Sequence, residues 1–519
     1  MTTEFTSLTP SVRERIAHAR KQLDRQVLRM QGRIDGPNVD RVVPWVIALL
    51  LFGFLLALAL AKSRSIDMGR DLALYLQSTW LLGEGYKPIV TLGEGNLFAE
   101  QASFILYPVA MIVKFLPRVT TLLVLQSLGL AIAVVPLWRL ARGLGKLRVG
   151  ATSAVVFAYF VYTAVHSVNL AGFHPGVFAL PALIAAVRYG LEGRRWPFVA
   201  MIVIVLACRA DLGLAVAGLG LLLALEGRRR EGIATLSIGL GWLILAIFVV
   251  QPALAGDVYP HVEAFSQFGS SPLEILWGIV RAPHEFLGLV ASRENFLTIV
   301  TLLAPVLFLP VVAPRYLMPA IPLYMIYLAA DVPFNRLDES AQTIPITAFV
   351  FVATVFALQR SGRILVERVN IDRRVAWALV LTAIVFFVRD APSSPYNSPW
   401  FSGRVSVEEV ALTEAAAIVP ADAPVRASDR LLPLLAERVA VFELDSRAPD
   451  EAALEVAVEA ATAEVDWVIL DGKASGWTSL DTDRFAIRLG FRGFKKIYDV
   501  EQVQVFEFTG IFETPTSNG

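Results

Sequence analysis

The chain has 519 residues, of which 55% are hydrophobic and 18% charged, with 46 Lys and Arg balanced by 46 Asp and Glu. That composition excludes an ordinary soluble domain, where about 25% of residues are charged, and reads as an integral membrane protein with neither a basic excess for nucleic acid nor an acidic excess for disorder. The single cysteine, Cys208, excludes an intramolecular disulfide.

Residues 1–43 are polar and Arg-rich with apolar residues at helical spacing, as in an amphipathic cytoplasmic segment. No small-residue cleavage site closes the apolar stretch that follows, so it reads as an uncleaved first span. Runs long enough to cross a bilayer as helix, about 17 to 25 residues, fall near 44–62, 119–138, 150–166, 175–190, 197–209, 212–226, 232–255, 297–313, 316–332, 343–359 and 375–389. The expectation is an α-helical polytopic membrane domain over 44–390 with about eleven transmembrane helices.

The loops RLARGLGKLR, RYGLEGRRW, EGRRREG and QRSGRILVERVNIDRR are all basic. Short basic loops stay cytoplasmic, which places the N-terminus inside. Counting FILYPVAMIVKFLP, Phe104 to Pro117, as a span would put those loops outside, so it reads as an interfacial helix. Loops 63–118 and 256–296, the turn at His174 and everything after Arg389 then face outward.

Past Arg389, a Pro/Ser-rich linker over 391–402 leads to a small extracytoplasmic α/β domain over 403–510 and a frayed tail over 511–519. Strand–helix–strand patterning runs through PVRASDRLLPLLAERVAVFEL and VDWVILD, with period-two alternation clearest in Val503 to Phe508. The sequence has no repeat of fixed period, no Walker motif and no Cys/His cluster, which argues against an ATP-driven pump.

Chemistry concentrates in SRSIDMGRDLALYLQSTWLLGEGYKP, where Asp67 and Asp71 stand against the end of the first span. Ionised groups near hydrocarbon are expensive and tend to be functional. The two acids share a helix face if the helix includes both. Otherwise Asp67 caps the helix and Asp71 sits in its first turn, favoured by the dipole. His174 lies at the outer end of two spans, either as a site residue or as a packed, hydrogen-bonded one. Arg209 and Asp211 interrupt two apolar runs and are candidates to pair with each other.

DLALYLQSTWLLGEG resembles the D-L-G-I-Y-D-Q-A-L-W-x-L-x-x-G signature of the bacterial membrane family known as domain of unknown function 2079. NLFAEQASFILYPVAMIVKFLP, GFHPGVFALPALIAAVRYGLEGRRW, CRADLGLAVAGLGLLLAL and ASDRLLPLLAERVAVFEL resemble its later segments in the same order, from about residue 60 onward. That family in turn resembles the GT-C membrane glycosyltransferases, which take a sugar from a polyprenyl-phosphate donor and carry an essential acid in the first external loop.

The resemblance implies a GT-C-like enzyme of the bacterial cytoplasmic membrane, a localisation that the Arg-rich, Lys-poor composition also fits. Its partners would be a polyprenyl-phosphate sugar donor, a glycan, glycolipid or protein acceptor, and membrane lipids. No cofactor is called for and no D-x-D pair implies a metal. Asp71 aligns with the first family aspartate as general base, with Asp67 and Glu100 as further catalytic candidates. Tyr75, Gln101, His174, Arg209, Asp211, Arg281, His284 and Arg293 are substrate-binding candidates, Arg209 through a bidentate fork to the donor phosphate. Four positions depart from the family pattern: Leu76 for an aspartate, Gln101 for a histidine, Gly176 for a glutamate and Ala210 for an acid. A lipid or solute transporter, or an inactive scaffold acting through the outer domain, are the alternative readings.

Overall fold

The computed structural model describes residues 36–93, 95–255, 261–330, 341–365, 368–396, 405–445, 454–473 and 476–510. The expected segment 1–43 up to residue 35, the tail over 511–519 and linker residues 397–402 lie outside the described residues.

The first helix, Pro37–Arg64, has 28 residues, with a proline at its start and Lys62 and Arg64 in its last turn. At 1.5 Å per residue it is about 42 Å long, enough to cross the hydrocarbon with turns to spare. Among the described residues five helical stretches are long and apolar enough to span: Pro37–Arg64, Arg118–Gly143, Val149–Leu170, Arg229–Ala255 and Thr343–Ser361. A sixth is reached if Pro283–Val290 and Arg293–Val306, bent by 53°, count as one.

All eleven apolar runs contain helix, but several are short or divided. Ala179–Glu192, Arg195–Cys208 and Leu212–Leu225 have 14 residues each. The run near 297–313 is broken by a turn at Leu307 and Phe308, both at positive φ, between a 3-10 segment that holds Pro305 and a short helix that Pro310 opens. The Phe104 to Pro117 stretch forms an eight-residue helix, Leu106–Val113. Helices of fourteen residues reach about 21 Å, short of the roughly 30 Å apolar core. The Arg209–Asp211 turn that joins two of them is therefore recessed when measured from the basic loops.

Leu212–Leu225 and Arg229–Leu245 pack backbone against backbone. A Cβ on Gly220 would lie 2.3 Å from Leu236 N, and one on Gly239 2.5 Å from Ala217 N, so small residues set this close approach. At the basic-loop end Arg142, with its side chain only 3% exposed, is held by Asp40 at 2.6 Å, which also accepts from Trp138 Nε1 at 3.0 Å.

The C-terminal domain carries a five-stranded sheet in the order Val441–Glu443, Val425–Ala427, Trp467–Asp471, Val503–Phe508, Phe494–Val500. The first two junctions are parallel and the last two antiparallel. Helices Val407–Ile418, Leu454–Thr462 and Ser479–Phe491 accompany it, two of them opened by reciprocal capping boxes at Ser406/Glu409 and Thr478/Asp481. The alternation expected of Val503 to Phe508 does not translate into one wet face. Val503 to Phe506 are all buried, because the strand lies inside the sheet and is covered on both sides, and Gln504 donates to Asp499 at 3.0 Å. The start of the linker is packed as well: Ser393 Oγ lies 2.9 Å from His166 Nδ1 in a fully buried pair.

Candidate functional site

The helix that carries Asp71 runs from Gly69 to Glu84 with Met68 at its N-cap position and no side-chain cap of its own. Asp67 thus lies outside the helix: it neither caps it nor shares a helical face with Asp71. The cap comes from the C-terminal domain. Asp429 Oδ1 accepts from Arg70 N at 2.6 Å, which satisfies an otherwise orphaned amide of the first turn. Gly69, at φ +66°, makes this approach feasible, since a Cβ there would sit 2.9 Å from Asp429 Oδ2.

Arg430 grips the preceding turn, donating from Nε to Ile66 O at 3.0 Å and from Nη2 to Ser65 O at 3.2 Å. Ile66 has φ +48°, a left-handed conformation that costs an L-residue about 1–2 kcal/mol. Arg430 is itself held by Glu408 and, at 3.3 Å, by the fully buried Asp471. Further along, Gln77 Nε2 donates to Thr91, Arg438 O and Val439 O, while Thr91 exchanges hydrogen bonds with Val441. Arg70 pairs with Glu443 at 3.3 Å. The ASDR stretch, Ala427 to Arg430, is thus the part of the C-terminal domain that fixes the turn from Ser65 to Asp71.

Asp71 projects from the first helical turn with its side chain 63% exposed. His174 Nε2 is 3.9 Å from Asp71 Oδ2 and is buried without a hydrogen-bond partner. Burial lowers the His174 pKa, against the pull of the Asp71 carboxylate. Its backbone N donates to Gln126 Oε1 at 3.0 Å, and Tyr75 stacks edge-on to its ring at 5.7 Å. The Tyr75 hydroxyl in turn donates to Gln101 Oε1 at 3.0 Å. Asp71, Tyr75, Gln101 and His174 are therefore neighbours in one polar group.

The first loop is stapled to the Arg209 turn by two backbone bonds, Ala210 N to Gln101 O and Ile105 N to Ala207 O, both 2.9 Å. Arg209 does not present an open fork. Its Nε and Nη2 are bound to Asp211, and Nη2 also donates to Tyr327 Oη at 2.8 Å. Asp211 accepts from Tyr327 too. The bidentate edge expected for a phosphate is thus occupied by Asp211, and Nη1 is the guanidinium nitrogen left without a hydrogen bond among the described residues. Glu100 sits on the far side of Gln101, where its backbone O accepts from Gln251 at 2.9 Å and lies 2.7 Å from His261 Nε2.

Residues 67–487 match the model of one protein family, described as Predicted membrane protein (DUF2079). The chain belongs to this family. Among solved structures, ArnT from Cupriavidus metallidurans bound to undecaprenyl phosphate aligns with a TM-score of 0.50 at 11% identity, over 93% of this chain and 100% of that one. The Archaeoglobus fulgidus oligosaccharyltransferase in its apo form aligns with a TM-score of 0.41 at 12% identity, over 90% of this chain and 74% of that one. No curated protein matches the sequence. The ArnT likeness is one of fold, and it agrees with the GT-C resemblance of the sequence.

Of the positions read as departures from the family pattern, Gly176 lies beside the Arg209 guanidinium. A Cβ on Gly176 would meet Arg209 Cδ at 3.6 Å, so a longer side chain there would reach the guanidinium that Asp211 holds instead. Ala210 joins a small apolar cluster with Ala102 and Ala246, and Leu76 is fully buried.

Arg281, His284 and Arg293 are not brought to this group. All three are exposed, on or beside the helices Pro272–Arg281, Pro283–Val290 and Arg293–Leu303, and no bond joins them to Asp71, His174 or Arg209 among the described residues. His284 Nε2 lies 3.9 Å from Oε1 of its neighbour Glu285. Among the described residues no group of three His, Cys, Asp or Glu side chains is placed to hold a metal ion. Tyr327, Gln126 and Asp429 were not singled out from sequence. Tyr327 is one aromatic in an apolar run and carries no local signal, whereas Asp429 lies in the ASDR stretch that resembles a family motif.

Proposed function

We propose that this protein is an inverting membrane glycosyltransferase that moves a sugar from a polyprenyl-phosphate donor to a cell-envelope glycan, glycolipid or protein acceptor. The observation that carries the reading is the accessible Asp71 carboxylate facing the buried, unpartnered Nε2 of His174 at 3.9 Å. A base needs access to the acceptor and a fixed backbone, and the Asp429 and Arg430 contacts supply the second. The ArnT fold and its bound undecaprenyl phosphate support the choice of donor.

In this reading Asp71 takes the proton of an acceptor hydroxyl as its oxygen attacks the anomeric carbon. The bond from that carbon to the phosphate oxygen breaks, through an oxocarbenium-like transition state, and the lipid phosphate leaves with the electron pair. Arg209, oriented by Asp211 and Tyr327, offers Nη1 to the leaving phosphate. His174 and Tyr75, packed edge-on, form one wall against which the sugar binds, and Gln101 orients Tyr75. Asp67, just before the helix, and Glu100, next to Gln101, are the further acids of this reading.

The site faces the outer side of a bacterial cytoplasmic membrane, with the N-terminus cytoplasmic and the C-terminal domain extracytoplasmic. The membrane domain covers 44–390, and the α/β domain over 403–510 follows a linker at 391–402. The test is a set of liposomes holding the full-length protein, supplied with radiolabelled polyprenyl-phosphate sugars and an envelope extract as acceptor. Label leaving the lipid for an acceptor supports the transferase. Labelled lipid that crosses the bilayer intact identifies a transporter, and no reaction of either kind points to a scaffold.

A further inference from the structure

Two apolar grooves open on the flank of the bundle, and they differ in how their arginines are used. The first, about 310 Å³, lies beside Trp45 and Tyr189 and contains Arg139 and Arg188. Both are already engaged: Arg139 lies over the Trp45 ring at 5.9 Å and Arg188 donates to Glu192 at 2.7 Å. The second groove, about 500 Å³, runs between helices Val149–Phe160 and Arg373–Asp390. Ala151, Ala154, Phe157, Ile371, Trp377 and Val380 supply its apolar walls, and Arg148 and Arg373 stand at the end where both helices begin.

Here, among the described residues, the arginines have no acidic partner. The Nε of Arg148 is buried and has no hydrogen-bond partner, and neither Arg148 nor Arg373 forms an ion pair among the described residues. The nearby acid, Asp372, is spent on capping its own helix through Arg374 N at 2.9 Å. A buried guanidinium nitrogen without an acceptor is costly, so the site calls for an anion. The groove continues from that anion position along bilayer-facing side chains, with Trp377 63% exposed beside it. Tryptophan at such a level suits a headgroup boundary.

We infer that this groove binds an acidic phospholipid, its phosphate on Arg148 and Arg373 and one acyl chain lying between the two helices. A polar peptide or free phosphate would leave the apolar walls uncovered, and a zwitterionic lipid would bring its own cation to the arginines. The stretch Val149–Leu170 runs from Arg148 at one end to the His174 turn at the other. The lipid site therefore lies at the opposite end of the bundle from Asp71, on the basic-loop side where anionic lipids collect. It is separate from the donor site and independent of the transferase reading.

The test uses the full-length protein in neutral detergent, titrated with phosphatidylglycerol or phosphatidylcholine of identical chains and read by native mass spectrometry. Phosphatidylglycerol binds preferentially, and Arg148→Gln weakens it about tenfold, the equivalent of one lost charge-assisted bond, while leaving phosphatidylcholine unchanged. Should Arg148→Gln fold poorly, Arg373→Gln on the exposed side shows the same selective loss. Brominated phosphatidylglycerol also quenches tryptophan emission by an amount that Trp377→Phe removes. Equal binding of the two lipids, retention of binding in both arginine variants, or quenching that Trp377→Phe leaves undiminished would each overturn the inference. So would inorganic phosphate displacing the lipid at equal concentration.

Discussion

At the basic-loop end of the bundle the charged side chains are held from within the membrane domain: Arg188 by Glu192, 4 positions away, Arg142 by Leu147 O, 5 away, and by Asp40, 102 away, and Arg228 by Leu191 O, 37 away. At the Asp71 end the partners are distant. Asp429 is 359 positions from Arg70, Val439 is 362 from Gln77 and Ser65 is 365 from Arg430. The basic end is built by the membrane helices and their loops, while at the chemical end the turn that leads into the Asp71 helix is fixed by the C-terminal domain. A change in that domain should therefore be felt at Asp71, and a change at the basic end should not.

The largest effect on stability belongs to the basic end. Asp40→Ala removes the carboxylate paired with the buried Arg142 and should cost up to about 3–5 kcal/mol, read as an earlier unfolding transition in detergent. Local amide exchange around Arg70 should be unchanged while the protein remains folded. If it rises in step, the two ends are coupled and the contrast fails.

Gln77→Leu comes next. Gln77 is fully buried and also accepts from Leu92 N at 3.3 Å, so the apolar replacement strands several main-chain groups at the domain contact. About 1–3 kcal/mol is expected for a buried group left unsatisfied. Hydrogen exchange should localise the loss to residues 89–92 and 438–441, with the Asp40–Arg142 end undisturbed.

Asp429→Ala removes a helix cap and should cost about 0.5–2 kcal/mol, with faster exchange of the Arg70 amide and lower transfer activity. Asp429→Asn keeps the acceptor and should retain both. If the alanine and asparagine variants behave alike, the contact is not a cap.

The smallest effect is a pH dependence. Burial raises the Asp429 pKa above the ordinary aspartate range, against the Arg70 amide and with the help of Asp71 and Asp67. Burial also raises Glu443, against Arg70. A raised carboxyl pKa means that the folded state holds its proton longer than the unfolded chain. This contribution is full below the ordinary pKa of about 4 and is lost as the pH rises through the raised value. The stability of the docked C-terminal domain should accordingly fall from acid towards neutral pH in the wild type, with a shallower slope in Asp429→Asn.

The same contrast explains what the sequence made legible. Apolar runs and basic loops are local signals, so the helical segments and the grouping of their arginines were readable. How those runs divide into short helices was less so, because the turn at Leu307 and Phe308 breaks a run whose hydropathy stays high. Asp71, Tyr75, Gln101, His174 and Arg209 could be nominated together only through family resemblance. Their adjacency rests on backbone bonds between residues 101–105 and 207–210, which no periodicity reveals. Asp67 offers itself as a cap or as a face partner of Asp71 for the same reason: a nearby acid at the right spacing fits either role, and the group that caps the helix lies in another domain.

The central claim is that Asp71 acts as a base in sugar transfer, and Asp71→Asn tests it most directly, because it removes the base while keeping size and the helix cap in place. With the wild type active in liposomes on its preferred polyprenyl-phosphate sugar, the variant should fold and dock its C-terminal domain normally yet lose about 10²- to 10⁴-fold in turnover. Turnover within a few-fold of wild type in a correctly folded Asp71→Asn protein would contradict the account.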